Sequence, residues 1–169
     1  MTLSIARVGM AASIAALFLF QTAFAREEKV SLGSVPQAVM DTVKARFGDS
    51  HVKGAAKEIE EGKPVYEITL DERGRNVDVT LSPEGTMLLI ERTIPAAGLP
   101  EPVRQALAHR YPAAAYRTVE EIVEVQDGQE RLTSYELLLG TADGAKREVK
   151  VTPDGANITE ETEEEDVED

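Results

Sequence analysis

Val35-Pro36-Gln37-Ala38-Val39 returns 64 positions later in the chain as Leu99-Pro100-Glu101-Pro102-Val103. Beyond these two stretches the same offset pairs Phe47 with Tyr111. An internal repeat of this length governs the whole architecture, because each copy is one structural unit. The sequence therefore predicts two diverged copies of a single module.

The repeat continues toward the C-terminus with small changes of offset. Residues 66–70 correspond to 135–139 at an offset of 69, and residues 79–85 correspond to 149–155 at an offset of 70. The offset grows where loops absorb insertions, chiefly around 126–133. Apolar, aromatic and turn positions keep their order, which chance similarity does not explain.

Each copy is predicted to open with a helix. In the first, Ser34 is the expected N-cap, and Gly48 is the expected end. Pro112 is expected to stop the second helix, because proline cannot continue the hydrogen-bond ladder. Apolar residues four apart form one stripe on each helix, which favours packing against a sheet: Val35, Val39, Val43 and Phe47, then Leu99, Val103, Leu107 and Tyr111.

The pattern then alternates with a period of two, as in half-buried strands. Strands are predicted at 51–60, 66–70, 77–81 and 86–91, and again at 116–126, 135–139 and 149–151. Residues 71–74 are expected to form a hairpin loop. The predicted fold class is α+β, with two tandem modules in which an N-terminal helix packs on a three- to four-stranded antiparallel sheet.

The N-terminus predicts export. An apolar run from Val8 to Phe20 is followed by the small-x-small pattern at Ala23 to Ala25, typical of a signal peptide cleaved after Ala25. Cleavage leaves 17 basic and 31 acidic residues, a net charge of −14. Such a charge disfavours nucleic acid and anionic lipid. We expect a periplasmic or secreted protein with no stable membrane insertion after cleavage; an uncleaved N-terminal anchor is the alternative.

The last ten residues, Glu160 to Asp169, contain eight acids. A block of like charge repels itself and buries nothing, which predicts disorder. The expected division is a signal peptide at 1–25, the two copies at 30–94 and 95–161, and a disordered acidic tail at 162–169. The tail would be a solubilising segment or a loose binder of divalent cations.

Catalytic chemistry finds little support in this sequence. There are no cysteines and only two histidines, His51 and His109, at non-equivalent positions of the repeat. A zinc site needs three or four ligands of these types and carboxylates. Gly-x-Ser-x-Gly elbows and glycine-rich phosphate loops are absent from the chain. We therefore expect no enzyme, no cofactor and no metal site.

The pattern resembles the PepSY-like family, which is β-lactamase-inhibitor-like. The resemblance rests on Val35-Pro36-x-Ala38-Val39, on Gly62 to Ile68, and on Ser82-Pro83-Glu84-Gly85, with a weaker match in the second copy. It implies a β-lactamase-inhibitory-protein-like fold, in which the sheets of two modules form one continuous concave protein-binding surface. Wider relatives restrain peptidases outside the cytoplasm. The family carries no cofactor or catalytic residue.

The expected function is that of an exported, non-catalytic binding protein that inhibits or regulates an extracytoplasmic peptidase or hydrolase, with another exported protein as partner. The alternative is an acidic envelope protein that senses or buffers cations or small ligands. Antiparallel sheets bury one face and wet the other. The wet face is the candidate binding surface, and its predicted members are Glu67, Thr69, Asp78, Thr80, Glu136, Leu138, Glu148 and Lys150.

Overall fold

The computed structural model describes residues 28–48, 50–60, 62–142 and 144–161. The first helix, α1, spans Gln37–Phe47 and the second, α2, spans Glu101–Arg110. The strands, in chain order, are β1 (Glu28–Lys29), β2 (His51–Glu60), β3 (Lys63–Glu72), β4 (Arg75–Leu81), β5 (Met87–Thr93), β6 (Ala115–Gln126), β7 (Gln129–Gly140), β8 (Lys146–Val151) and β9 (Ile158–Glu161). The helix and strand types predicted from periodicity are thus present.

All nine strands belong to one antiparallel sheet, in which neighbours follow the chain order from β1 to β9. The predicted α+β class is confirmed, and the strands of the two predicted modules form this one sheet. The two copies join because β5 pairs with β6, with Ile90 opposite Val123 and Thr93 opposite Glu120. An edge strand with open hydrogen-bonding groups is a template for another strand. Here the first strand of the second copy fills that position.

Both helices lie against the same face of the sheet. Val39 and Val43 of α1 share a buried cluster with Ile68, Val79 and Ile90. Val103 and Leu107 of α2 share a second cluster with β6, β7 and β8. Because Ile90 is opposite Val123 on β6, and Val119 lies four residues before Val123, the sheet residues of the two clusters are on one side. The other side carries the alternate residues of each strand.

The helix starts differ from the prediction. Ser34 does not cap α1: it lies in a short 3-10 turn, and its hydroxyl donates to the carbonyl oxygen of Ser31 at 2.7 Å. Pro36 occupies the N-cap position, as Pro100 does for α2. Both prolines have an extended ψ, which suits the boundary of a helix. Gly48 ends α1 with a φ of 57°, as expected.

The first two of the ten residues at the acidic C-terminus expected to be disordered belong to a strand. Glu160 and Glu161 pair with Val149 and Glu148 in β9. The prediction for Glu160 and Glu161 is therefore wrong, because the backbone of these residues completes the sheet. The predicted signal peptide and the predicted disordered tail at 162–169 lie outside the described residues. Within the described part, no helix has the length and apolar character to cross a membrane.

Candidate binding face

The eight predicted surface residues form four directly opposed pairs on neighbouring strands. Glu67 is opposite Thr80 and Thr69 is opposite Asp78, between β3 and β4. The second copy has two equivalent pairs between β7 and β8: Glu136 with Lys150, and Leu138 with Glu148. Each residue alternates with a core residue of its strand, such as Ile68 or Leu137. All eight therefore lie on the side of the sheet away from the helices, called the open face below.

Two acidic residues that sequence reasoning missed connect the two halves of the open face. Glu91 on β5 is opposite Asp78, and Glu120 on β6 is opposite Glu136. The alternation around Ile90 could have placed Glu91 on this face. The position of Glu120 close to Glu91 follows only from the pairing of β5 with β6, which no local sequence pattern indicates.

β-Bulges occur at equivalent positions of the two copies. Lys53 is an extra residue in β2, between Val52 and Gly54. Arg117 is an extra residue at the corresponding place in β6. A bulge shifts the phase of a strand, so that side chains before it and after it change sides. The same device at the same position of each copy strengthens the relation between them.

Glu91 occupies the most unusual electrostatic environment of the face. Burial among neighbouring strands, reinforced by the carboxylates of Glu136, Glu67, Glu120 and Asp78, raises its pKa to about 8. Taking a carboxylate from water disfavours the charged form, and nearby negative charge acts in the same direction. Glu91 is therefore largely protonated at neutral pH.

Two neighbouring acids, Glu120 and Glu136, have partners of their own. Burial also raises the pKa of Glu120, while a hydrogen bond from the Thr93 hydroxyl, at 3.1 Å from its Oε1, acts in the opposite direction. Glu136 has a cationic partner, with 3.4 Å between its Oε2 and Nζ of Lys150. Positive charge thus reaches the β8 side of the face, while its centre is dominated by carboxyl groups.

The surface between the acids is well packed. Thr80, Ile122 and Ser134 lie on the open face and are buried. Ile122 is opposite both Glu91 and Ser134. Such a surface offers hydroxyls and carboxyl groups at fixed spacing along and across the strands.

Two clefts lie outside the centre formed by Glu91 and Glu120. One, with a volume of about 400 Å³, is at the β1–β2 edge and includes Lys53, Glu67 and Thr69. Another, of about 300 Å³, lies beside α1 near Met40 and Phe47. Among the described residues, no group of three or more His, Cys, Asp or Glu side chains has the geometry to hold a metal ion.

A family model described as "Putative beta-lactamase-inhibitor-like, PepSY-like" matches residues 21–89 and again residues 88–156. The chain belongs to the PepSY-like family. The two matches confirm the tandem repeat and the resemblance seen in the sequence. Comparison with curated proteins gave no match.

Solved structures from Bacteroides share the fold. A chain from Bacteroides eggerthii, described as a "putative periplasmic" protein, has a TM-score of 0.59 and 15% identity, and the similarity covers 75% of this chain and 88% of that one. A BLIP-like protein from Bacteroides fragilis has a TM-score of 0.55 and 17% identity, with 79% and 92% covered. At such identities the likeness shows the fold alone: α+β and BLIP-like, with one nine-stranded sheet and two helices.

Proposed function

We propose that this protein is an exported, non-catalytic binding protein that uses the open face to capture a cationic surface of another exported protein. The observation that carries the proposal is the row of acids Glu67, Asp78, Glu91, Glu120 and Glu136 on five adjacent strands. Each copy is proposed to act as a module whose helix supports its own strands from behind.

Charge complementarity supports a basic partner. Opposed charges across an interface guide the encounter and disfavour wrong partners. The partner would present lysine or arginine side chains to the acids at the centre of the face and an acidic group near Lys150. The BLIP-like relative and the inhibitor-like family description support a peptidase or hydrolase as the partner class, so that binding inhibits or regulates the enzyme.

Charge reversal tests the role of the face. Replacing Glu67, Glu136 and Glu148 by lysine should weaken binding of an oligolysine peptide by more than tenfold, since like charges then meet. A matched control carries the same charge change at exposed positions elsewhere: Asp41, Glu84 and Glu101 to lysine. Equal losses in the two variants, measured by calorimetry, would mean that only net charge matters.

The inhibitor role has a separate test. A hydrolase captured from the envelope extract on the immobilised protein is titrated with the wild type and with both variants. We expect the wild type and the control to reduce its activity at equimolar ratio, and the variant of the face to leave it unchanged. Capture without any effect on activity would rule out inhibition but not binding.

The second candidate is a cation-buffering protein of the cell envelope, favoured by the eight acids in the last ten residues. Calorimetry with calcium compares the full chain with one that ends after Glu161, so that β9 stays intact. Heat of binding that disappears with residues 162–169 would support this role. Absence of binding at millimolar calcium would rule out the cation-buffering role.

A further inference from the structure

At the centre of the open face, two pairs of acidic residues lie in direct register. Asp78 on β4 is opposite Glu91 on β5, and Glu120 on β6 is opposite Glu136 on β7. Like charges directly opposite each other destabilise an antiparallel pair. A neutral carboxyl group or a neighbouring cation relieves such repulsion, and Lys150 supplies a cation beside Glu136.

The surroundings of Glu91 indicate which acid is neutral. The carboxylates that act on it come from every neighbouring part of the face: Glu67 on β3, Asp78 on β4, Glu120 on β6 and Glu136 on β7. On β8 the positive charge of Lys150 is already engaged with Glu136, and Lys29 and Lys53 lie at the β1–β2 edge. Directly opposite Glu91 on β6 is the buried side chain of Ile122.

We propose, on the basis of the binding role above, that the open face exchanges one proton for its cationic partner. In the free protein the Glu91 carboxyl keeps its O–H bond. When an ammonium or guanidinium group of the partner docks, that bond breaks, the proton passes to the solvent, and the carboxylate pairs with the cation. The pKa of about 8 for Glu91 supports this state of the free protein.

The exchange makes affinity depend on pH. A group that loses its proton on binding strengthens binding by up to about tenfold per pH unit, between its pKa in the complex and its pKa in the free protein. Binding should therefore tighten as the pH rises toward 8 and level off above it. A face of ordinary, fully ionised carboxylates would show no such dependence in this range.

Calorimetry of an oligolysine peptide with the full chain, near pH 7 and in buffers of different ionisation enthalpy, counts the protons released. We expect close to one for the wild type and none for Glu91→Gln, whose affinity should also be independent of pH. Glu84→Gln, at an exposed turn position, is the matched control and should behave like the wild type. Proton release that persists in Glu91→Gln would overturn the exchange.

A carbon-13 NMR titration of the glutamate carboxyls in the free protein supplies a measurement that needs no partner. Titration of Glu91 near its ordinary value of 4.5 would overturn the exchange even if oligolysine binds. Binding without proton release would overturn it as well, leaving the binding role intact. If oligolysine fails to bind at any pH, both the binding role and the exchange are wrong.

Discussion

The last strands of the two copies have the same place in the repeat but opposite surroundings. β5 lies between β4 and β6, whereas β9 is an edge strand that pairs only with β8 in the described part of the chain. Ile90 on β5 is opposite Val79, and its counterpart Glu160 on β9 is opposite Val149, the counterpart of Val79. Ile90 is fully buried in the core. The same position thus carries an apolar residue inside the sheet and an acid at its edge.

The edge strand is secured by side chains instead of a further strand. Oε1 of Glu160 accepts a hydrogen bond from the Tyr111 hydroxyl at 2.7 Å. Its Oε2 lies 3.2 Å from Nη1 of Arg147, and Arg110 contributes a longer ion pair at 3.6 Å. The first copy has Phe47 where the second has Tyr111. The first copy needs no hydroxyl at this position to hold its last strand, because β5 is paired with β6.

The two copies differ less in the contact between each helix and a turn of its own copy, which follows β4 in the first copy and β8 in the second. A side chain at Gly85 would lie 2.5 Å from the carbonyl oxygen of Ala38, and one at Gly155 would lie 2.6 Å from that of Pro102. The first copy adds a hydrogen bond from the Thr42 hydroxyl to the Gly85 carbonyl at 2.8 Å. The two copies thus keep the close helix–turn approach and diverge where one of them meets solvent.

The largest expected difference between β5 and β9 is in how Glu91 and Glu160 make the free energy of unfolding depend on pH. Glu91 has a raised pKa, so its contribution to stability is greatest below about 4.5 and is lost as the pH rises through 8. Glu91→Gln should remove that loss, so that its free energy of unfolding exceeds that of the wild type above pH 8 by about 5 kcal/mol. Urea unfolding from acid to alkaline pH measures it, with Glu84→Gln as control.

The acid at the edge should behave in the opposite way. A hydrogen bond from Tyr111, followed by the charge of Arg147 and Arg110, lowers the pKa of Glu160 despite some desolvation. Its contribution is present above the unfolded value and is lost as the pH falls through the folded one. A Glu91→Gln protein with the same alkaline loss of stability as the wild type would contradict this distinction.

Alanine at the two turn glycines should have the next largest effect. Gly85 and Gly155 have positive φ values of 84° and 71°, and an added methyl group would contact helix backbone. Strain and overpacking together should lower the free energy of unfolding by about 3 kcal/mol at each position. Denaturant unfolding measures the loss. Equal losses would show that the helix–turn contact is equivalent in the two copies.

Gly74 provides the matched control for these substitutions. Its φ is 83°, but nothing lies within 4 Å of an added methyl group. Gly74→Ala should therefore lower the free energy of unfolding only through backbone strain at positive φ, by about 1 kcal/mol. If Gly85→Ala is no more destabilising than Gly74→Ala, the close approach to α1 is not what determines the glycine.

The smallest effect should come from making the second copy resemble the first at the edge. Tyr111→Phe removes two exposed hydrogen bonds, one donated to Glu160 and one accepted from Arg110. It should cost about 0.5 kcal/mol of global stability, because exposed hydrogen bonds contribute little. Hydrogen exchange is the sharper measurement, since edge strands open locally. We expect faster exchange of the β9 amides and unchanged exchange in β5. Uniformly faster exchange would mean that the tyrosine supports the whole core.

Most of the fold was predictable because periodicity and turn residues act locally. The bounds predicted for β2, 51–60, agree with the structure. The hairpin loop after β3 was predicted to have four residues, 71–74, but only Arg73 and Gly74 are unpaired in the ladder. Asp71 and Glu72 still pair with β4. The Asp71 carboxylate accepts the Gly74 amide at 2.7 Å and closes that turn. The error at Ser34 arose because a capping sequence also suits a 3-10 turn.

The binding face was only partly predictable. Alternation predicted that Glu67, Asp78 and Glu136 share one face of the sheet, and the strand registers give their positions on it. Glu91 and Glu120 were missed because their importance depends on strands that are distant in the sequence. Their role in binding is a prediction that the experiments above decide.

The sequence by itself determined the repeat, the helices, the strands and the acidic character, because each depends on residues near one another in the chain. Only the tertiary structure decided that β5 pairs with β6 and that nine strands form one sheet. That pairing brings Glu91 among four other carboxylates and excludes water from it. The raised pKa of Glu91 results from burial and from carboxylates on neighbouring strands. A local sequence pattern cannot predict it, because these strands are distant in the sequence.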